Sequence, residues 1–299
     1  GRTSRWIFWH LAGCKDKFMK NIKLKSATYI VAVSGGVDSV VLLDLLSKQP
    51  DLKLIVAHFD HGIRSDSAKD AKHVEKLANQ YNLQFELGVA ELGQVASEEQ
   101  ARDARYQFLN KIKSQYNALQ IVTAHHSDDV VETIIINLIR GTGWRGLSSL
   151  RSTEHLARPL LDFTKKDILE YAKDNNLQWV EDSTNKDLKY LRNEIRHKIA
   201  TKMTAKQRQY FLDLYQSQLG LTDEIDSHTA RLSSDKRHDF IMWPENVALE
   251  VLRSQLQLTR PQARRALTAI KTAKHGSELE ISGDKSLKFT HKNVLVMVK

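Results

Sequence analysis

The chain has 299 residues, 41% hydrophobic and 27% charged, a globular balance with room for one large core or two unequal ones. No run of about 18 uncharged apolar residues occurs, so no membrane partner is expected, and the single cysteine, Cys14, excludes an internal disulfide framework, a cysteine zinc cluster and a two-thiol sulfur relay. One cysteine also suits a reducing compartment, here the cytoplasm, while 45 Lys and Arg against 36 Asp and Glu leave a net charge of +9 that attracts polyanions such as RNA.

Trp6, Phe8 and Trp9 form a short apolar patch between Arg5 and Lys15, but no apolar stretch with small cleavage-site residues follows, which argues against a signal peptide. Periodic sequence begins after Met19, so residues 1–20 are expected to lie outside the fold. Residues 29–33 read as a buried strand, Ser34-Gly35-Gly36 as a turn, and Val40, Val41, Leu42, Leu45 and Leu46 as one side of a helix. Strands follow at 52–58, 83–89 and 121–124, with helices at 67–81, 97–115 and from Ser127 to about Arg140. Strands alternating with helices of this length imply right-handed crossovers and an α/β fold, a doubly wound parallel sheet covered on both faces. Thr164 is placed to cap a helix running to Asn175. Beyond Asn185 the chain is basic and helical to about 230, with two helices over 249–275 and a pair of strands over 278–298 around Ser282-Gly283-Asp284. The expected division is a catalytic domain at 21–200 and a second, smaller, mostly helical domain at 201–299 that ends in a small α+β segment.

A strand that ends in two glycines and enters a helix lets the backbone approach an anion, which the free amides and the positive helix end stabilise. The turn Ser34-Gly35-Gly36-Val37-Asp38-Ser39 holds no lysine, which the P-loop kinase pattern requires, and only two adjacent glycines, where the dinucleotide fingerprint needs three spaced ones. It resembles the signature of the PP-loop ATP pyrophosphatases. That resemblance implies that Ser34, Gly35, Gly36, Val37, Asp38 and Ser39 hold ATP, with Ala32, His58, Ala124 and Gly141 as further nucleotide contacts. It also implies cleavage between the α and β phosphates and a magnesium ion served by Asp38 and Asp129.

Other polar segments stand where strands end. His58-Phe59-Asp60-His61-Gly62-Ile63-Arg64 closes the second strand, at the edge where parallel sheets bind ligands. Arg102 and Arg105 are three apart on one helix beside Tyr106, and guanidinium groups suit bidentate phosphate binding. Thr123-Ala124-His125-His126-Ser127-Asp128-Asp129, with Glu132 and Thr133, is the densest polar cluster at a strand end. Asp128 and Asp129 each share a helical face with Glu132, and such carboxylates suit either magnesium or an ammonium group.

Together these segments resemble the tRNA(Ile)-lysidine synthetases, with Ile63 where leucine is usual, and with Arg140-Gly141-Thr142-Gly143, Gly146, Glu181-Asp182-Ser183-Thr184-Asn185, Arg192-Asn193 and Arg196-His197 continuing the match. The resemblance covers residues 28 to about 200 and weakens beyond, where 250–299 is similar to the family's small tRNA-contacting domain; larger members carry a further C-terminal domain. It implies that ATP adenylates O2 of the wobble cytidine of an isoleucine tRNA with a CAU anticodon. The ε-amine of free lysine then displaces AMP at C2. It assigns catalysis to Asp38, Asp60, His61, Arg105, His125 and Asp129, and substrate binding to Asp128, Asp129, Glu132, Arg192 and Arg196, the two arginines toward RNA phosphates. The lysine proton goes to His125, His126 or Asp60, and oligomeric state, a homodimer included, stays open. A thiolase of the same class would need cysteines beyond Cys14. A small-molecule amide or NAD synthetase would leave the basic second half without a use, and a binding module without turnover would show no tRNA-dependent ATP–pyrophosphate exchange.

Overall fold

A computed structural model describes residues 18, 21–62, 67–90, 98–180, 191–282 and 285–298; Cys14, Ile63, Arg64 and the segment 181–185 fall outside the described residues. The chain divides into two compact units, 1–216 and 217–299. The boundary expected near 200 therefore moves, because Arg208 and Tyr215 bond back into the first unit, Arg208 to Asp128 and Tyr215 Oη to the Leu150 carbonyl at 2.8 Å.

In the first unit β1 (Thr28–Ala32) leads into α1 (Val37–Ser47), β2 (Lys53–Asp60), α2 (Ser67–Gln80), β3 (Gln84–Val89) and α3 (Glu98–Gln115). Then come β4 (Gln120–Val122), α4 (Ser127–Ile139), a 3-10 turn (Trp144–Ser148), β5 (Leu156–Ala157) and α5 (Lys165–Asp174). α6 (Leu191–Lys198) and the start of α7 (Ala205–Arg231) complete it. The five strands are parallel in the order β3-β2-β1-β4-β5. Side chains alternate across the sheet, so each strand supplies both cores. Val31, Val56 and Val122 pack against α1, α2 and α5, while Ile30, Ile55 and Ile121 pack against Leu109 and Ile112 of α3. This two-sided burial explains the near-continuous apolar runs of β1 and β2. Winding reverses between β1 and β4, and the crevice at their C-terminal ends is where such sheets take ligands.

Phe18, expected outside the fold, is fully buried and stacks on Phe163 with ring centroids 3.9 Å apart. β5 was not expected; two residues are too few to show a period.

The second unit carries α8 (Arg237–Met242), α9 (Glu245–Leu256), α10 (Arg260–Thr272) and an antiparallel sheet of β6 (Glu278–Ser282), β7 (Lys285–Phe289) and β8 (Val294–Val298). The 278–298 segment thus forms three strands rather than a pair. Leu249, Leu252, Leu267, Ile270, Leu287 and Phe289 fill its core. Thr259 and Gln262 cap the start of α10, and Arg237 donates to the Ile270 and Ala273 carbonyls at its end. Among the described residues no helix is long and apolar enough to cross a membrane.

Candidate active site

β1 delivers the chain into the glycine turn. Gly35 sits at φ +91°, where side chains are strained, and a Cβ there would lie 3.4 Å from Val74 Cγ2. Gly36, at φ −72°, is the N-cap of α1 and offers no capping side chain, so the first-turn amides of α1 point outward for a ligand. Serines fix the turn beforehand. Ser39 Oγ donates to the Gly36 carbonyl at 2.9 Å and accepts from the Ser34 N–H at 3.2 Å, and the Val180 N–H donates to the Gly35 carbonyl at 3.0 Å.

Asp38, in the first turn of α1, is held by a residue that sequence reasoning missed: Lys165 Nζ donates to its two carboxylate oxygens at 2.6 and 2.8 Å. Lys165 opens α5, behind the expected N-cap Thr164, whose Oγ1 accepts from the Asp167 N–H. A cation in the first turn of a helix opposes the helix dipole, so it serves the site rather than the helix. That misplaced charge was the one signal available in the sequence.

His126 links the glycine turn to α4. Its Nε2 lies 3.8 Å from Asp38 and 3.5 Å from Asp129, and its backbone N–H donates to Asp129 Oδ2 at 3.0 Å. Asp38 and Asp129 thus converge on one imidazole. Among the described residues no group of three or more His, Cys, Asp or Glu could enclose a metal. Two hard carboxylates fit magnesium nonetheless, since that ion takes one or two from the protein and completes its shell with phosphates and water.

The other acids face arginines. Glu132, 2% exposed, is forked by Arg196 of α6 through Nε at 2.6 Å and Nη2 at 2.9 Å, and Asp129 lies 3.5 Å from the same Nη2. Arg196, expected to reach RNA phosphates, is thus placed against two carboxylates of α4. Burial opposes the charged Arg196, but Glu132 and Asp129 hold its pKa above the ordinary value. Burial pushes the Asp129 carboxyl up, yet His126, His125 and Arg196 together hold it below the usual carboxylate range. Asp128 accepts from Arg208 of α7 and from the Lys165 backbone N–H at 2.8 Å. Arg192 Nη2 reaches Thr133 Oγ1 at 3.4 Å.

On the β2 side, Asp60 ends the strand and accepts from the Gly62 N–H at 2.8 Å, and buried His58 donates from Nδ1 to the Val33 carbonyl at 2.8 Å. Ala32 and Ala124 stand half-buried at the exits of β1 and β4. His61 is pushed down by burial and by Arg105, against Asp60. His125, 2.9 Å from Thr123 Oγ1, is pushed down to about 3 by burial, with Arg158, Arg105 and Arg192 adding to the effect against Asp129. A ring held there stays neutral near pH 7. Gly141, at φ +63°, follows α4, whose 13 residues span about 20 Å, so it lies at the opposite end of that helix from His126.

The profile of the PP-loop domain family matches residues 12–203. The tRNA(Ile)-lysidine synthase of Thermotoga maritima is 41% identical over 184 residues, 58% of this chain and 44% of that protein. That of Nostoc sp. is 44% identical over 179 residues, 57% of this chain and 52% of the relative. The chain therefore spans about half the length of the curated relatives it matches. Among solved structures, the U34-tRNA thiolase NcsA from Methanococcus maripaludis superposes with a TM-score of 0.60 at 17% identity, over 71% of this chain and 80% of that one, a likeness of fold alone. With a family profile that covers more than half of the chain and takes in the glycine turn, both strand exits and the paired carboxylates, the chain belongs to the PP-loop domain family.

Proposed function

We propose that the chain is an ATP-dependent tRNA(Ile)-lysidine synthase, a cytoplasmic ligase that joins free lysine to C2 of the wobble cytidine of the CAU-anticodon isoleucine tRNA. The observation that carries the reading is adjacency. An anion-binding turn and a carboxylate pair closed on a cation share His126 and Asp129. A nucleotide and an amine substrate need that pairing, and relatives bearing the enzyme's name supply the specific chemistry.

In this reading the amides of Gly36 to Ser39 take the β and γ phosphates, with Lys165 supplying the cation that the turn lacks. Magnesium, when bound by Asp38 and Asp129, neutralises the departing pyrophosphate. Cytidine O2 attacks the α phosphorus as the bond to the bridging oxygen breaks. Asp129 and Glu132, which hold the Arg196 guanidinium, are the groups to take the lysine ammonium. His126, whose Nε2 lies 3.5 Å from Asp129, is the group placed to accept the proton. The free amine forms the bond to C2 as the C2–O2 bond breaks, and AMP leaves. The second unit, with Arg260, Arg264 and Arg265 exposed on α10, is assigned to tRNA backbone contacts.

Labelled lysine tests the reading. Its ATP-dependent transfer to a CAU-anticodon transcript, but not to one with cytidine 34 replaced by uridine, is expected; equal labelling of both, or none at saturating lysine, refutes it.

A further inference from the structure

Asp128 stands in the first turn of α4, where the resemblance assigns it to substrate binding. In the fold it does something more specific: it joins the starts of two helices. Its Oδ2 accepts from the backbone N–H of Lys165 at 2.8 Å, and its Oδ1 accepts from Nη1 of Arg208, whose Nη2 donates to the Ala200 carbonyl at 3.0 Å. The neighbouring Ser127 N–H donates to the Phe163 carbonyl at 2.9 Å. Two adjacent residues of α4 thus hold Phe163 and Lys165, on either side of Thr164, the N-cap of α5. The first N–H groups of a helix have no partner inside it, so an outside acceptor fixes where the helix begins and how its first side chain leaves the backbone. From that start Lys165 Nζ crosses to both oxygens of Asp38, at 2.6 and 2.8 Å. The Lys165 side chain is 40% exposed and flexible, so its own burial does not hold it at the glycine turn. Its backbone must be placed for it.

We propose that Asp128 is a positioning residue for the phosphate site and not a substrate ligand: held by Arg208, it sets the first residue of α5 so that the Lys165 ammonium meets Asp38 beside the glycine turn. Without the bond to its backbone, Lys165 keeps its charge but loses its place, and phosphate binding weakens through lost orientation. The inference rests on the proposed function for the role of Lys165 at the β and γ phosphates; the bond between Asp128 and the Lys165 backbone stands without it.

A double-mutant cycle on the full chain tests this. Asp128→Ala should weaken magnesium ATP binding about tenfold and slow tRNA-dependent pyrophosphate exchange by a similar factor, while the KM for lysine stays within about twofold of the parent. In a Lys165→Met background the same change should alter ATP affinity by less than about twofold, because the group that Asp128 places has gone. Equal losses in both backgrounds overturn the proposal. So does a lysine KM raised about tenfold with ATP affinity unchanged, which would make Asp128 a lysine ligand. A variant that melts well below the parent yet binds ATP normally also overturns it, since Asp128 would then serve the fold alone. If Asp128→Ala does not fold, Arg208→Met, which frees the other carboxylate oxygen, is put through the same cycle. A parent chain that binds ATP but forms no lysidine refutes the proposed function, while the cycle in ATP affinity still judges Asp128.

Discussion

Gly36 and Gly35 separate the phosphate site from the fold in one pair of substitutions. Gly36 has φ −72°, allowed for any residue, and a Cβ there would meet only Ser34 Oγ at 3.6 Å, an ordinary contact. Gly36→Val should therefore change stability by no more than about 1 kcal/mol. Its isopropyl group, however, stands where a phosphate must approach the α1 amides. A hydrogen bond to a charged group contributes about 1.5–3 kcal/mol, so losing two weakens ATP binding roughly a hundred- to ten-thousand-fold. Gly35→Ala reverses the balance: at φ +91° it costs about 1–2 kcal/mol and lowers the melting temperature by a few degrees. Calorimetric titration with magnesium ATP, beside thermal unfolding, reads the two effects. Unchanged ATP affinity in a fully folded Gly36→Val protein would refute the phosphate turn.

Arg196→Gln leaves Glu132 buried without its cation and should cost about 3–5 kcal/mol in urea unfolding, whereas the paired change Arg196→Met with Glu132→Leu should recover most of that while lysine use stays lost. Recovery of lysine transfer by the pair would contradict the ammonium site. His125 is held at about 3 against an ordinary 6.5, so between those values the unfolded chain binds a proton that the folded chain does not. Stability should thus rise with pH across that window by up to about 1.4 kcal/mol per unit, be complete above it and be lost as pH falls. Asp129, also depressed, adds in the same direction below about pH 4. Urea melts from pH 4 to 7 should show a shallower rise for His125→Gln than for the parent, and equal slopes would contradict the buried neutral ring. Lys165→Met should keep stability within about 1 kcal/mol, because its pair with Asp38 is partly exposed, yet slow pyrophosphate exchange about a hundredfold or more. A normal exchange rate would remove Lys165 from the site.

The alternation of strand and helix was legible because each buried strand is bounded by polar or glycine punctuation, and the glycine turn because its backbone needs are local. Pairings across long sequence gaps were not. Nothing near Arg196 announces Glu132, 64 residues earlier, and its place in a basic stretch suggested RNA instead. Lys165 reaches Asp38 across 127 residues. The boundary near 200 failed because α7 runs past it with Tyr215 turned into the first unit's core. Phe18 escaped notice because one aromatic before a periodic segment carries no pattern of its own.

In the proposed function the glycine turn activates RNA by adenylation before lysine enters, so ATP–pyrophosphate exchange should proceed without lysine. Exchange should depend on the CAU-anticodon isoleucine tRNA, disappear in Gly36→Val, and persist in Glu132→Gln, whose defect belongs to the lysine step. Exchange that proceeds equally without tRNA, or that Glu132→Gln abolishes while lysine affinity is unchanged, would contradict the account.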